Sequence, residues 1–192
     1  MTSPGADAGT GLPAEVRKAR VDDVAGIQRL VDTYVPDRRL LRKAPVALYE
    51  DVQEFFVAVD GDRVVGCGAL HVLWKDLAEV RTLAVAPEAQ GAGVGSGLLA
   101  RLMDHALELG VRRLFCLTFE TGFFARHGFH PVDDALVDAE VRAELLQSPD
   151  EGIAEFLDLA RVKPNTLGNT RMLAVLDGSP HTSLESGAAV PR

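Results

Sequence analysis

The sequence predicts an α/β (α+β) protein with a mixed, mostly antiparallel central sheet flanked by helices. Three observations carry this. Phe55–Val59, Val64–Leu73 and Glu79–Val85 are three successive strand-like runs with no crossover helix between them, which makes an antiparallel meander. Residues 79–109, EVRTLAVAPEAQGAGVGSGLLARLMDHALEL, then read as a strand, a glycine-rich turn and an amphipathic helix. The 192 residues, with 47% hydrophobic and 25% charged, suit one domain with a sizeable core.

Taken in order, residues 1–13 are small, Gly-rich and punctuated by Pro, and are expected to be disordered; the domain is expected over 14–176. Val16–Arg20 is a first strand. Val21-Asp22-Asp23 offers an N-cap, and Val24, Ile27, Leu30, Val31 and Tyr34 form a helical stripe. Pro36 to Pro45 breaks that helix and carries Arg38, Arg39, Arg42 and Lys43. Such a cluster is either a solvated loop or a carboxylate-binding one. Val46–Glu54 reads as a short second helix, and Asp60-Gly61-Asp62 as a tight hairpin. Beyond the central helix, Arg113–Thr118 is a strand. Glu120–His127 is a short helix stopped by Gly128, Phe129–Val132 a strand and Asp138–Leu146 a helix. Gly152–Leu159 fits either strand or helix, and Thr170–Leu176 is the last strand. Residues 177–192 are a polar tail expected to be unstructured.

A formal net charge of −8 argues against nucleic acid as the main partner. Cys67 and Cys116 sit in apolar strand-like runs and read as buried reduced thiols of a cytoplasmic protein. No Cys/His cluster has metal-ligand spacing, so no metal is expected. No apolar run is long enough to span a bilayer, and the N-terminus lacks signal-peptide features. Any self-association is expected to give a homodimer.

The Gly-rich turn is suited to anion capture. A helix N-terminus presents unpaired N–H groups and a partial positive charge, and glycines let a phosphate approach without meeting a Cβ. A dinucleotide fingerprint would need a third glycine where Ser96 stands, and a Walker A loop would need Lys before Ser or Thr. The meander also departs from the alternating strands and helices of a dinucleotide fold. Gln90, Gly93 and Gly95, preceded by Leu83-Ala84-Val85-Ala86-Pro87-Glu88, instead resemble the acetyl-coenzyme A signature of the GCN5-related N-acetyltransferases (GNAT). The segments VRKARVDDVAGIQRLV and GFFARHGFHPV are similar to further parts of that family.

The resemblance implies a GNAT fold with a sheet splayed at the acetyl-CoA site. It places the cosubstrate along Leu83, Ala84 and Val85, with Leu83 and Val85 as backbone partners, and on the turn Gln90, Gly91, Ala92, Gly93, Val94, Gly95 and Ser96. It also implies Glu79 as the base, against the alternative that Glu79 is a strand-end charge paired with Arg81. Phe124 stands where the family often keeps a tyrosine acid. Thr118 is the candidate hydroxyl donor in its place, unless it simply suits a strand.

Longer segments, among them LLRKAPVALYEDVQEFFVAV and AEFLDLARVKPNTLGNTRMLAVL, resemble the short stand-alone N-acetylglutamate synthases of actinobacteria. That implies acetyl transfer to the α-amine of L-glutamate, with L-glutamine as an alternative, at the start of arginine biosynthesis. The same segments resemble, more distantly, the acetyltransferase domain of the longer synthases, and that match implies Leu40 (through its backbone), Arg42, Lys43, Thr82 (through its carbonyl), Lys163, Asn165 and Arg171 as the amino-acid site. The sequence has no room for the kinase-like domain of the longer synthases, so arginine control through it is not expected. Three other readings stay open: a GNAT enzyme for another amine, a non-catalytic acyl-CoA sensor and a dinucleotide oxidoreductase.

Overall fold

A computed structural model describes residues 14–132, 136–150, 153, 157 and 169–178. The segment 1–13, the tail beyond Gly178 and most of the ambiguous 152–159 stretch lie outside those residues. The elements run β1 (Glu15–Lys18), α1 (Val24–Tyr34), α2 (Pro45–Glu50), β2 (Phe55–Asp60), β3 (Arg63–Trp74), β4 (Leu77–Val85), α3 (Val94–Glu108), β5 (Arg113–Thr118), α4 (Thr121–Ala125), β6 (His130–Pro131), α5 (Ala139–Leu145) and β7 (Thr170–Val175). Among the described residues the sheet has seven strands in the order β1-β2-β3-β4-β5-β7-β6. Every neighbouring pair is antiparallel except β4 with β5.

The meander forms as expected. Gly61 takes the left-handed φ (+56°) that a tight two-residue turn between Asp60 and Arg63 requires. Gly128, at φ +85°, likewise ends α4, and Gly128 N–H bonds the Ala125 carbonyl. Several elements are shorter than the pattern suggests: the helix expected over Glu120–His127 is Thr121–Ala125, and two others differ further. The helix expected over Val46–Glu54 is α2 followed by a separate 3-10 turn at Val52–Glu54. The strand expected over Phe129–Val132 pairs only at His130 and Pro131. Asp23 occupies the N-cap of α1 but makes no side-chain bond to that helix. Its carboxylate is drawn away by the Arg17 guanidinium, at 2.7 and 2.9 Å, and by the Arg20 N–H at 2.7 Å.

Helix α3 buries Leu98, Leu99, Leu102, Met103 and Ala106 against the sheet. The glycines of β3 make room for it. A Cβ at Gly66 would lie 2.8 Å from Leu98 Cδ1 and 2.9 Å from Val94 Cγ1. A second apolar cluster, with Leu73, Leu77, Phe115 and Leu173, seats Leu145 of α5 together with Ile153 and Leu157.

Two irregularities of β4 shape the site. First, β4 and β5 share only three rungs, Leu77 with Arg113, Ala78 with Leu114 and Glu79 with Phe115, and no pairing continues beyond them. This is the splay that the family resemblance implies. Second, Thr82 and Leu83 both stand opposite Gly68, because Ala69 pairs with Arg81 and Cys67 with Ala84. That bulge puts Thr82 at φ +58°. A β-branched residue there is strained by about 1–3 kcal/mol, and such strain persists where the surrounding structure over-determines it.

Candidate active site

A cavity of about 750 Å³ opens where β4 and β5 part. One wall is β4 from Glu79 to Val85, and the other is Leu117 to Glu120 at the end of β5. The Gly-rich turn and the loop carrying Arg39 to Lys43 complete it.

Gly91 and Gly93 take φ +79° and +81°, and nothing lies within 4 Å of where a Cβ would stand on either. Gly93 is the N-cap of α3, and the first turn closes with Gly97 N–H on the Gly93 carbonyl at 2.9 Å. The N–H groups of Val94, Gly95 and Ser96 therefore precede the first intrahelical bond. They form an anion cradle at the positive end of a fifteen-residue helix. This open, donor-rich cradle fits a phosphate-bearing cosubstrate such as acetyl-CoA. Gln90, Gly91, Gly93, Val94, Gly95 and Ser96 all line the cavity, as do Leu83, Ala84 and Val85. Ala92, between the two left-handed glycines, is not among the residues that line it.

The side chain of Gln90 has another task. Its Nε2 donates to the Tyr34 hydroxyl at 2.8 Å, and that hydroxyl donates to the Val85 carbonyl. Tyr34 thus braces α1 against both the turn and the cavity strand. The expected backbone partner Val85 already has this one bond at its carbonyl.

Glu79 is 5% exposed, lines the cavity and occupies the last shared rung before the strands part. Arg81, two residues on, hydrogen-bonds Glu54 at 3.1 Å and Asp150 at 3.2 and 3.3 Å. Burial lowers the Arg81 pKa, but attraction to Glu79, Glu54 and Asp150 outweighs it and holds the guanidinium above its ordinary value. The Arg81 partnership weighed for Glu79 from the sequence is therefore shared among three carboxylates. His71 Nδ1 lies 2.7 Å from Glu54 Oε1, so His71 joins this network and does not line the cavity.

Thr118 is 7% exposed, and its Oγ accepts from Glu120 N–H at 2.9 Å, which leaves the hydroxyl proton to donate into the cavity. Phe124 also lines the cavity, its ring edge-to-face with Phe123 and Phe129 at 5.2 and 5.1 Å. Thr82 places its carbonyl 3.6 Å from the Cys67 Sγ.

The loop residues Leu40, Arg42 and Lys43 line the cavity. Arg42 lies 3.5 Å from Asp32, and Lys43 3.9 Å from Asp51. Arg171 is not in the cavity wall: it belongs to β7, where it pairs with Leu117, so β5 stands between it and the gap. Lys163 and Asn165 lie outside the described residues. The structure adds wall residues that sequence reasoning did not place there. Arg39 forms an ion pair with Glu120 across the mouth and stacks 5.6 Å from the Tyr34 ring centroid. Asn169 lines the cavity and has a buried Oδ1 with no hydrogen-bond partner among the described residues. The basic loop was a signal for Arg39, whereas nothing local marked Asn169. Among the described residues, no group of three or more His, Cys, Asp or Glu could hold a metal ion.

Comparison with known proteins agrees with this architecture. Residues 27–130 match the model of the Acetyltransferase (GNAT) family. The chain is 56% identical over 164 residues to an amino-acid acetyltransferase of Mycobacterium tuberculosis, covering 84% of this chain and 94% of that protein. Among solved structures, Rv2747 of M. tuberculosis in complex with CoA and NLQ is 56% identical with a TM-score of 0.81, over 84% of this chain and 99% of that one. The N-acetylglutamate synthase of Neisseria gonorrhoeae, complexed with coenzyme A and N-acetyl-glutamate, is 26% identical with a TM-score of 0.67, over 85% of this chain but 35% of the synthase. The split β4–β5 pair, the cradle before α3 and these likenesses lead to one conclusion: the chain belongs to the GNAT acetyltransferase family.

Proposed function

We propose that the protein is an amino-acid N-acetyltransferase that moves the acetyl group of acetyl-CoA to the α-amine of L-glutamate, the first step of arginine biosynthesis. The observation that carries this reading is the buried carboxylate of Glu79 at the fork of β4 and β5, between an anion cradle and a loop of cations. The 56% identity to an amino-acid acetyltransferase supports the choice of acceptor.

The cosubstrate supplies an activated acetyl group as a thioester. The chain has three tasks. The cradle at Gly91 to Ser96 holds the phosphates, and the bulged half of β4 offers backbone groups to an extended arm and to the carbonyl oxygen as charge develops there. Glu79 takes the proton from the α-ammonium, directly or through water. Thr118, whose oxygen already accepts from Glu120 N–H, donates a hydrogen bond to the departing sulfur, which leaves as a thiolate while Thr118 keeps its proton. Arg42 and Lys43 receive carboxylate, and Thr82 offers its carbonyl to the amine.

L-glutamine is the second reading, and one observation favours it. Arg42 and Lys43 already face Asp32 and Asp51, so a second acceptor carboxylate would compete with protein carboxylates for the same cations. We place the protein in the cytoplasm; among the described residues no helix is long and apolar enough to cross a membrane.

The test is coenzyme A release from acetyl-CoA with a panel of amino acids and polyamines, with the product identified by mass. Saturable release with glutamate confirms the reading, and release with glutamine alone moves the side-chain assignment. Glu79→Gln should lower kcat by roughly 10²–10⁴-fold and leave coenzyme A affinity within about twofold. Coenzyme A binding without turnover on any amine would leave a sensor and overturn the proposal.

A further inference from the structure

Four ionisable side chains from four separate stretches meet at Arg81, beside Glu79. Glu54 comes from the 3-10 turn after α2, His71 from β3, Arg81 from β4 and Asp150 from the segment after α5. Glu54 takes Arg81 at 3.1 Å and His71 at 2.7 Å, and Asp150 takes Arg81 at 3.2 Å with His71 Nε2 at 3.9 Å. Asp150 also accepts the Ile153 N–H at 2.9 Å.

We propose that Arg81 is a positioning residue for the transfer reaction: held between Glu54 and Asp150, it keeps the neighbouring Glu79 carboxylate ionised and fixes the 148–150 segment against the cavity wall. This rests on the acetyl-transfer reading above.

The geometry supports it in three ways. Residues two apart on a strand project from the same face, so Glu79 and Arg81 stand side by side. The Arg81 side chain is 11% exposed yet contributes to the cavity lining, so its charge acts through protein and not through bulk water. Among the described residues, Glu79, Glu54 and Asp150 are three carboxylates that all act on this one guanidinium, and removing its charge leaves their mutual repulsion less offset. Cys116, from β5, is a further titratable group that the charge of Glu79 reaches. Burial, together with the charge of Glu79, pushes its thiol far above the ordinary range, so it stays neutral. A general base must be deprotonated to work, and a neighbouring cation shifts a carboxylate in that direction by about one unit or more.

The experiment is a profile of kcat/KM from pH 5.5 to 9.5 for wild type, Arg81→Gln and Arg81→Lys, with melting temperature and coenzyme A affinity measured in parallel. Arg81→Gln should move the acid limb up by about one pH unit. Activity then falls about tenfold at the acid end and returns to within about twofold of wild type at pH 9. Arg81→Lys should hold the limb in place. A uniform loss at every pH, or an unmoved limb, overturns the proposal.

Should Arg81→Gln fail to fold, Asp150→Asn gives the opposite sign: one carboxylate fewer, Arg81 retained and the limb lower. A limb that rises or stays still in that variant refutes the idea. Ionisation of Glu79 followed by carboxyl 13C NMR reads the same coupling without turnover. An inert wild type would therefore sink the functional reading alone, and an unshifted Glu79 titration in Arg81→Gln would sink the Arg81 role alone.

Discussion

Adding one methyl group at Gly66 should disturb both stability and cosubstrate binding. The new Cβ would sit 2.8 Å from Leu98 Cδ1, 2.9 Å from Val94 Cγ1 and 3.3 Å from Ala58 Cβ. Leu98 is fully buried, so its end has no free space to turn into. Val94 is β-branched and stiff, and it is the first residue of α3. The strain therefore passes to the helix start that forms the anion cradle. Overpacking of this kind costs about 1–3 kcal/mol. For a chain of this size, each kcal/mol lowers Tm by roughly 2–4 °C, so Gly66→Ala should melt about 2–12 °C lower. Coenzyme A affinity should drop as Val94, Gly95 and Ser96 shift. Calorimetry for Tm and titration calorimetry for Kd read both effects. Val94→Ala in the same chain removes one of the two close contacts and should restore part of each, a coupling that a double-mutant cycle isolates. Wild-type Tm and Kd in Gly66→Ala would refute the packing account. A fall in Tm with Kd unchanged would refute the link from β3 to the cradle.

Gly93→Ala tests backbone conformation where space is not limiting. At φ +81°, alanine costs about 1–2 kcal/mol, seen as a lower denaturation midpoint at unchanged m-value, with weaker coenzyme A binding. Acid stability follows from three carboxylates held below their ordinary pKa. For Asp23 the cause is the hydrogen bond from Arg17. For Glu54 and Asp150, burial pushes upward, but His71 and Arg81 around Glu54, and Arg81 around Asp150, outweigh it. Depressed carboxylates stabilise above the unfolded value, near 4, and that stabilisation is lost as pH falls below it. Urea midpoints should therefore be flat from pH 7 to 5 and fall steeply below pH 4. Asp150→Asn should flatten the fall, and an identical slope in that variant would contradict the assignment. Burial pushes the Cys67 thiol up to about 12. Thiol reagents at pH 8 should accordingly label Cys67 only on unfolding, and fast native labelling would show that the core there opens.

The parts of this protein legible in its sequence were the local ones. Alternating apolar residues, a Gly-Asp turn and a run of glycines before a helical stripe depend on neighbours a few positions away, and β2, β3, β4 and α3 follow from them. Glu79 at the start of the β4 run, Gly93 before α3 and Thr118 at the end of β5 were placed on their elements by the same local pattern, their roles by the family resemblance, and all three line the cavity. Long-range partners could not be read. Arg81 looked like a neighbour of Glu79 alone, because Asp150 meets it across 69 positions of chain. Threonine in a strand run predicts extended backbone, yet Thr82 is turned to positive φ by a bulge that depends on its pairing with β3. Arg171 carries the same charge on any strand, and only the order of β5 and β7 removes it from the cavity wall. Asp23 had the residue type and position of a cap, but Arg17 was the stronger partner.

The three-rung junction of β4 and β5 has a consequence for the life of the protein. Beyond Glu79 the sheet contains an edge that lines the cavity, where a slim extended ligand can lie along β4. A ligand that binds the folded form alone stabilises it, by about 2.7 kcal/mol at a hundredfold excess over Kd. The acyl donor would then act on this protein as a folding ligand. In a starved cell the same chain would open more often and meet proteases sooner, so the supply of the donor would govern how long the protein lasts.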